Sequence, residues 1–118
     1  MALADLLAQK NRLSEAAAQY RIAWRLHPES LEVHVNYGNV LSRQGDLPGA
    51  EQQYYLASLY YPQAIEARYN LANILLEEGR RAEAIAQYEI VLKIDPNFAD
   101  AQASLKKLRA EPPAQKTP

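Results

Sequence analysis

The sequence predicts an all-α chain of antiparallel helix–turn–helix repeats, and three observations carry that prediction. Of the 118 residues 48% are hydrophobic, much of that share is Ala and Leu, and only 4 residues are Gly. Ala and Leu lose little side-chain entropy in a helix, so this composition favours helices over strands. The chain also repeats itself without a gap at an interval of 34 residues. Glu32 falls on Glu66, Asn36 on Asn70, Asn39 on Asn73, Leu41 on Leu75, Ala50 on Ala84 and Tyr54 on Tyr88. Finally, the helix breakers obey the same interval. Gly45 and Gly79 stand where one helix of each unit ends, and Pro28, Pro62 and Pro96 where the other does.

Taken in order, the first helix is expected over about 2–10, with Leu3, Ala4 and Leu7 in the repeat register. Asn11 then stands in the place of a turn glycine, and Asn tolerates the left-handed backbone that a helix stop demands. The second helix, 14–26, carries Ala16, Tyr20 and Ala23, and its apolar stripe places Trp24 in the core with Ile22 and Leu26 nearby. Ser30 is the N-cap expected for the helix 31–43 after Pro28. Pro48 opens the helix 48–60, where its missing N–H costs nothing. Helices at 65–77 and 81–93 repeat the pair. The last, 98–109, carries Lys106, Lys107 and Arg109 and reads as a solvating cap. Residues 111–118 run Glu-Pro-Pro-Ala-Gln-Lys-Thr-Pro, too polar and Pro-rich to pack, and are expected to be a disordered tail or linker.

The pattern resembles the tetratricopeptide repeat family over residues 1–110. Its motif places a small residue on the first helix, here Ala4, Gly38 and Ala72. An Ala and then an aromatic follow on the second helix, here Ala16 and Tyr20, Ala50 and Tyr54, Ala84 and Tyr88. A small residue comes next at Ala23 and Ala57, then a closing proline. Departures are His34 and Arg68 where Trp opens the motif, Val91 for the later Ala, and Asn11 for Gly. The resemblance implies repeats at 1–30, 31–64 and 65–98 with a capping helix at 99–110, stacked as a right-handed superhelix, an α-solenoid. Counting back from Pro28 runs past residue 1, so the first repeat is expected to be incomplete, an excerpt of a longer array.

In such an array the first helix of each repeat lines the concave surface. Helical spacing then selects Glu32, Val35, Asn36, Asn39, Ser42 and Arg43 from one repeat. From the next it selects Glu66, Tyr69, Asn70, Asn73, Leu76 and Glu77, with Asp5 before them and Asp100, Ala103, Ser104 and Lys107 after. Four asparagines thus form a ladder. A carboxamide both donates and accepts, so it suits an extended peptide backbone. Family relatives such as the repeats of protein O-linked N-acetylglucosamine transferase carry backbone-reading ladders of this kind. Asn in these places is also common across the family as a link between helices. Tyr69 and Leu76 are the side-chain anchors to weigh, against simple packing along the groove wall. Chaperone-binding relatives clamp a terminal carboxylate with Lys and Arg beside the asparagines. Here Glu32, Glu66, Val35, Tyr69 and Ser104 stand instead, and Asp5, Glu32, Glu66, Glu77 and Asp100 outnumber Arg43 and Lys107. An acidic tail would be repelled, so the expected ligand is a neutral to mildly basic extended segment. Tyr55 and Tyr61 form a second exposed candidate patch.

Other chemistries find little support. Net charge is −1 with no basic stripe, which argues against nucleic acid. No apolar run approaches the roughly 20 residues of a membrane span, and no signal sequence is evident. There is no cysteine, which rules out disulfides and thiolate chemistry but sets no compartment; a soluble, cytoplasmic chain is the expectation. His27 and His34 lack a third converging ligand, so no metal or other cofactor is expected. Without a phosphate loop or triad spacing, the domain is not expected to be an enzyme. Three classes follow. The first is a protein–protein interaction module with a scaffold role, holding a peptide in its concave groove. The second is a self-assembly scaffold, and the third a substrate-recruiting segment of a larger enzyme such as a glycosyltransferase.

Overall fold

The computed structural model describes residues 2–111. Within them lie seven α-helices: α1 Ala2–Gln9, α2 Leu13–Leu26, α3 Leu31–Arg43, α4 Leu47–Tyr60, α5 Ile65–Glu77, α6 Arg81–Ile94 and α7 Ala99–Ala110. Each end lies within one residue of its sequence expectation. The tail expected over 111–118 falls, after Glu111, outside the described residues.

The stops are built as the residue types require. Asn11, Gly45 and Gly79 all adopt the left-handed region, at φ of 61°, 82° and 80°. Behind each, the chain reaches back to the last helical carbonyls, as in Asp46 N–H to Leu41 O at 2.9 Å and Arg80 N–H to Leu75 O at 2.8 Å. At the helix starts, the Ser30 hydroxyl accepts from Val33 N–H at 3.2 Å. The Asp46 carboxylate accepts from Gly49 N–H at 3.0 Å, which sets Pro48 in the second position of α4.

The helices pair antiparallel and each pair stacks on the next, giving an elongated solenoid of 46 × 32 × 22 Å. Its core is the repeat register made physical. Ala4, Ala72, Ala16, Ala50, Ala84 and Ala57 are buried, and they bring backbones close enough for the buried rings of Tyr20, Tyr54 and Tyr88 to fill the space left. The small residue at 38 has to be glycine as the ring now lies, since a Cβ there would sit 2.6 Å from Cε1 of Tyr54.

One core expectation holds in part, since Trp24 packs against the edge of the core rather than inside it. Trp24 is only half-buried, edge-on to His34 at 6.0 Å and to Tyr37 at 6.3 Å, while Ile22 and Leu26 are exposed. Trp24 faces α3 and packs against the core, whereas Ile22 and Leu26, two positions to either side of it, point to another face of α2, beside Leu3 and Ala4.

The departures from the family motif have a structural role of their own. His34 is fully buried, with Nε2 2.6 Å from the Pro28 carbonyl and Nδ1 2.8 Å from Oε1 of Gln53. A carbonyl only accepts, so Nε2 carries a proton. One repeat on, Arg68 donates to the Pro62 carbonyl at 3.3 Å and to Gln87 Oε1 at 3.1 Å. One repeat further, Gln102 donates to the Pro96 carbonyl at 2.7 Å. Three different donors thus latch three equivalent proline corners to the helix that follows.

Candidate binding groove

Helices α1, α3 and α5 lie along one side of the stack, with α3 touching both α4 and α5. Two adjoining hollows run between them. That between α1 and α3 is lined by Asp5, Gln9, Tyr20, Asn36, Asn39 and Arg43, among others. That between α3 and α5 is lined by Asn39, Ser42, Arg43, Tyr54, Asn70, Asn73 and Glu77. Asn39 and Arg43 belong to both, so the hollows form one groove.

Eight of the residues selected from sequence therefore meet here: Asp5, Asn36, Asn39, Ser42, Arg43, Asn70, Asn73 and Glu77. The other selected residues, Asp100, Ala103, Ser104 and Lys107 of α7 among them, do not line it. Glu32, Glu66 and Leu76 are exposed outside its lining. Tyr69 is half-buried, with its ring 5.8 Å from Tyr88 and 5.3 Å from Phe98. Val35 is withdrawn altogether. It is buried with Ala57 and Ala67, because position 35 turns toward the seam between α4 and α5. Tyr55 and Tyr61 are exposed, and the Tyr61 hydroxyl donates to the Glu29 carbonyl at 2.8 Å.

The sequence reading passed over the groove's floor. The hydroxyls of Tyr20, Tyr54 and Tyr88 donate to the side-chain oxygens of Asp5, Asn39 and Asn73, each partner fifteen residues earlier in the chain. Both rows obey the 34-residue interval, and that shared phase was the available signal. Asn39 Oδ1 accepts a second bond, from Asn70 Nδ2 at 3.4 Å. Its two lone pairs are then occupied, and only its NH2 group is left for a ligand. Asn73 likewise directs its oxygen to a tyrosine. The ladder therefore offers chiefly donors to the groove, where the sequence reading expected donors and acceptors equally.

Electrostatics agree with an acidic rim. Burial first, then the bond to Asp5 and the charges of Asp5 and Glu32, push the Tyr20 phenol well above its usual range. For Tyr54 burial again leads, followed by the charges of Glu66 and Glu77. Tyr88 is raised by burial, with a hydrogen bond involving Ser104 acting in the other direction. Carboxylates thus act on both hollows. Of the groove's bases, Arg43 is turned aside to donate to Asn11 Oδ1 at 3.0 Å.

Tetratricopeptide repeat models match residues 1–64 and residues 65–98. The chain belongs to the tetratricopeptide repeat family. No curated protein matches it in sequence. Solved structures share the fold at low identity. The first repeat domain of Spaghetti (RPAP3), bound to the HSP90 peptide SRMEEVD, superposes with TM-score 0.84 at 20% identity, covering 91% of this chain and 85% of that one. The Yersinia enterocolitica type III secretion chaperone SycD, in complex with a peptide of the translocator YopD, gives 0.87 at 16%, covering 92% and 88%. The second such domain of human RPAP3, in complex with the HSP70 peptide SGPTIEEVD, gives 0.84 at 17%, covering 92% and 90%. No helix among the described residues is long and apolar enough to cross a membrane.

Proposed function

We propose that this chain is a protein-interaction module that holds an extended, neutral to mildly basic segment of a partner in the groove between α1, α3 and α5. The observation that carries this reading is the orientation of the asparagines. With the oxygens of Asn39 and Asn73 tied to tyrosine hydroxyls, the amide donors of the ladder are left to meet peptide carbonyls. Peptide complexes of structural neighbours support the general mode. The ligand differs in charge from the acidic peptides of the RPAP3 complexes. Glu77 lies in the α3/α5 hollow and Asp5 in the α1/α3 hollow, and a Lys or Arg of the ligand would meet them there.

Asn39 is a poor position for the test, because its removal also strips Tyr54 of its partner. Asn70→Ala combined with Glu77→Lys spares the tyrosine bonds and reverses a rim charge. Isothermal titration with extended peptide libraries, graded from acidic to basic, is expected to select neutral or basic members. The double variant should weaken them by about tenfold or more with helicity unchanged, equivalent to roughly 1.4 kcal/mol. Selection of acidic peptides, or unaltered affinity in the variant, would remove the groove from the account.

A further inference from the structure

Two arginines stand apart from the others. Arg12, Arg43, Arg68, Arg80, Arg81 and Arg109 each donate to a side-chain or carbonyl oxygen of the chain. Arg21 and Arg25 form no ion pair among the described residues. Both are exposed on α2, one turn apart, and with Trp24 and Pro28 they line a hollow of about 410 Å³. A base in a last helical turn suits the helix dipole, which accounts for Arg25 but not for Arg21 a turn earlier. This face stays open inside the array itself. One and two repeats on, the equivalent residues are Tyr55 with Leu59 and Glu89 with Lys93, all exposed although helices pack before and after them. The same places are thus apolar on α4 and of mixed charge on α6, where Arg109 holds Glu89 at 2.7 Å. Position 24 differs as well, with Ser58 and Leu92 as its equivalents. The pairing of two uncommitted guanidinium groups with an indole belongs to α2 and is no requirement of the repeat.

We infer that this hollow docks an amphipathic helix of a partner protein, one that carries two carboxylates a turn apart and a large apolar side chain beside them. Charge sets the first requirement. Two guanidinium groups one turn apart repel each other, and acids at i and i+4 of a facing helix match their spacing. The Trp24 ring sets the second. It is half-buried and braced edge-on by His34 and Tyr37, so its outer part and the Pro28 ring make a fixed apolar wall. A ring held this way loses little freedom on binding, and a side chain at i+3 of the partner would seat on it between the two ion pairs. The backbone sets the third. An extended segment brings N–H and C=O groups that need new partners once water is displaced. The hollow's lining holds no carboxamide, and the Pro28 carbonyl is turned inward to the His34 ring at 2.6 Å. A helix arrives with those groups already bonded. The asparagine groove makes the opposite demand, so the two faces of one array take two kinds of partner.

Trp24 is the chain's one tryptophan, so its fluorescence reports on this hollow. The probe is a hydrocarbon-stapled helical peptide without tryptophan, carrying Glu at i and i+4 and Phe at i+3. Titrated into the whole chain, it is expected to shift the Trp24 emission to the blue and to saturate, as the ring loses water. Arg21→Glu with Arg25→Glu, both at exposed positions, should keep the helical circular dichroism and weaken the probe at least about tenfold. A second probe with Lys in place of both Glu should bind that variant better than the parent chain. A third, unstapled and with a central proline to break the helix, should bind the parent at least about tenfold more weakly than the first. Asn70→Ala with Glu77→Lys alters the groove and should leave the first probe's affinity unchanged, so this inference and the groove reading fail separately. The inference is overturned if the emission does not shift up to about millimolar probe, or if the charge-reversed chain binds the first probe as well as the parent does. It is overturned equally if the Lys probe fails to prefer that variant, if the broken probe binds as tightly as the helical one, or if the groove variant loses the probe.

Discussion

At the scale of single residues, Asn39 joins structure to the proposed function. Its oxygen accepts both the Tyr54 hydroxyl and the Asn70 amide, so it ties α3 to α4 and to α5. Asn39→Ala would leave the buried Tyr54 hydroxyl without its acceptor, at a cost of about 1–3 kcal/mol. Asn70→Ala gives up one long, half-exposed bond and should cost under about 1 kcal/mol. Urea unfolding of the two variants measures the difference, and equal losses would mean that the tyrosine bond contributes little. The presence of an asparagine ladder was legible in the sequence, because the helix period alone puts those positions on one face. Its polarity was not. Which end of a carboxamide faces the ligand depends on a hydroxyl fifteen residues away, and only the packed pair decides that. Val35, which helical spacing places on the groove wall, is misassigned for a similar reason, since a wall taken one residue too wide on a helix runs into a seam.

At the scale of elements, the sequence was a close guide, and the reason is chemical. Helix ends here are set by local residues: left-handed Asn11, Gly45 and Gly79, capping Ser30 and Asp46, and three prolines. What escaped was the contact between elements. His34, Arg68 and Gln102 have nothing in common in hydropathy, yet each reaches the carbonyl of a proline six residues back. Packing closeness also varies between equivalent pairs. Ala4 and Ala72 carry a Cβ in the small-residue register, whereas at 38 a Cβ would overlap the Tyr54 ring. Gly38→Ala should be tempered by the roughly 1 kcal/mol that helix α3 gains from losing a glycine. Gly38→Val has no such relief, because its branched side chain must displace a buried ring whose hydroxyl is held by Asn39. It should lower stability by about 1–3 kcal/mol. Chemical denaturation of both variants tests this, and a Val variant as stable as the parent would show the α3–α4 seam to be loose.

At the scale of the whole molecule, one tyrosine from each helix pair forms a spine through the solenoid, and the spine predicts how the chain responds to alkali. Tyr20, Tyr54 and Tyr88 are all buried, and burial raises each phenol above the usual value of about 10. Below that value both folded and unfolded chains keep these protons, and the stabilisation is fully present. As pH rises past it, the unfolded chain releases three protons that the native chain retains, so stability falls with a slope set by that difference. Because each pair leans on its neighbours, losing one ring from the core weakens the contacts of the next. The expectation is that phenolate absorbance worth three of the eight tyrosines appears in a single step together with the loss of helical circular dichroism. In strong denaturant all eight should ionise near the ordinary value. Full ionisation of a chain that stays helical would mean that water reaches the spine, and the close packing of small residues around it would then have to be rejected.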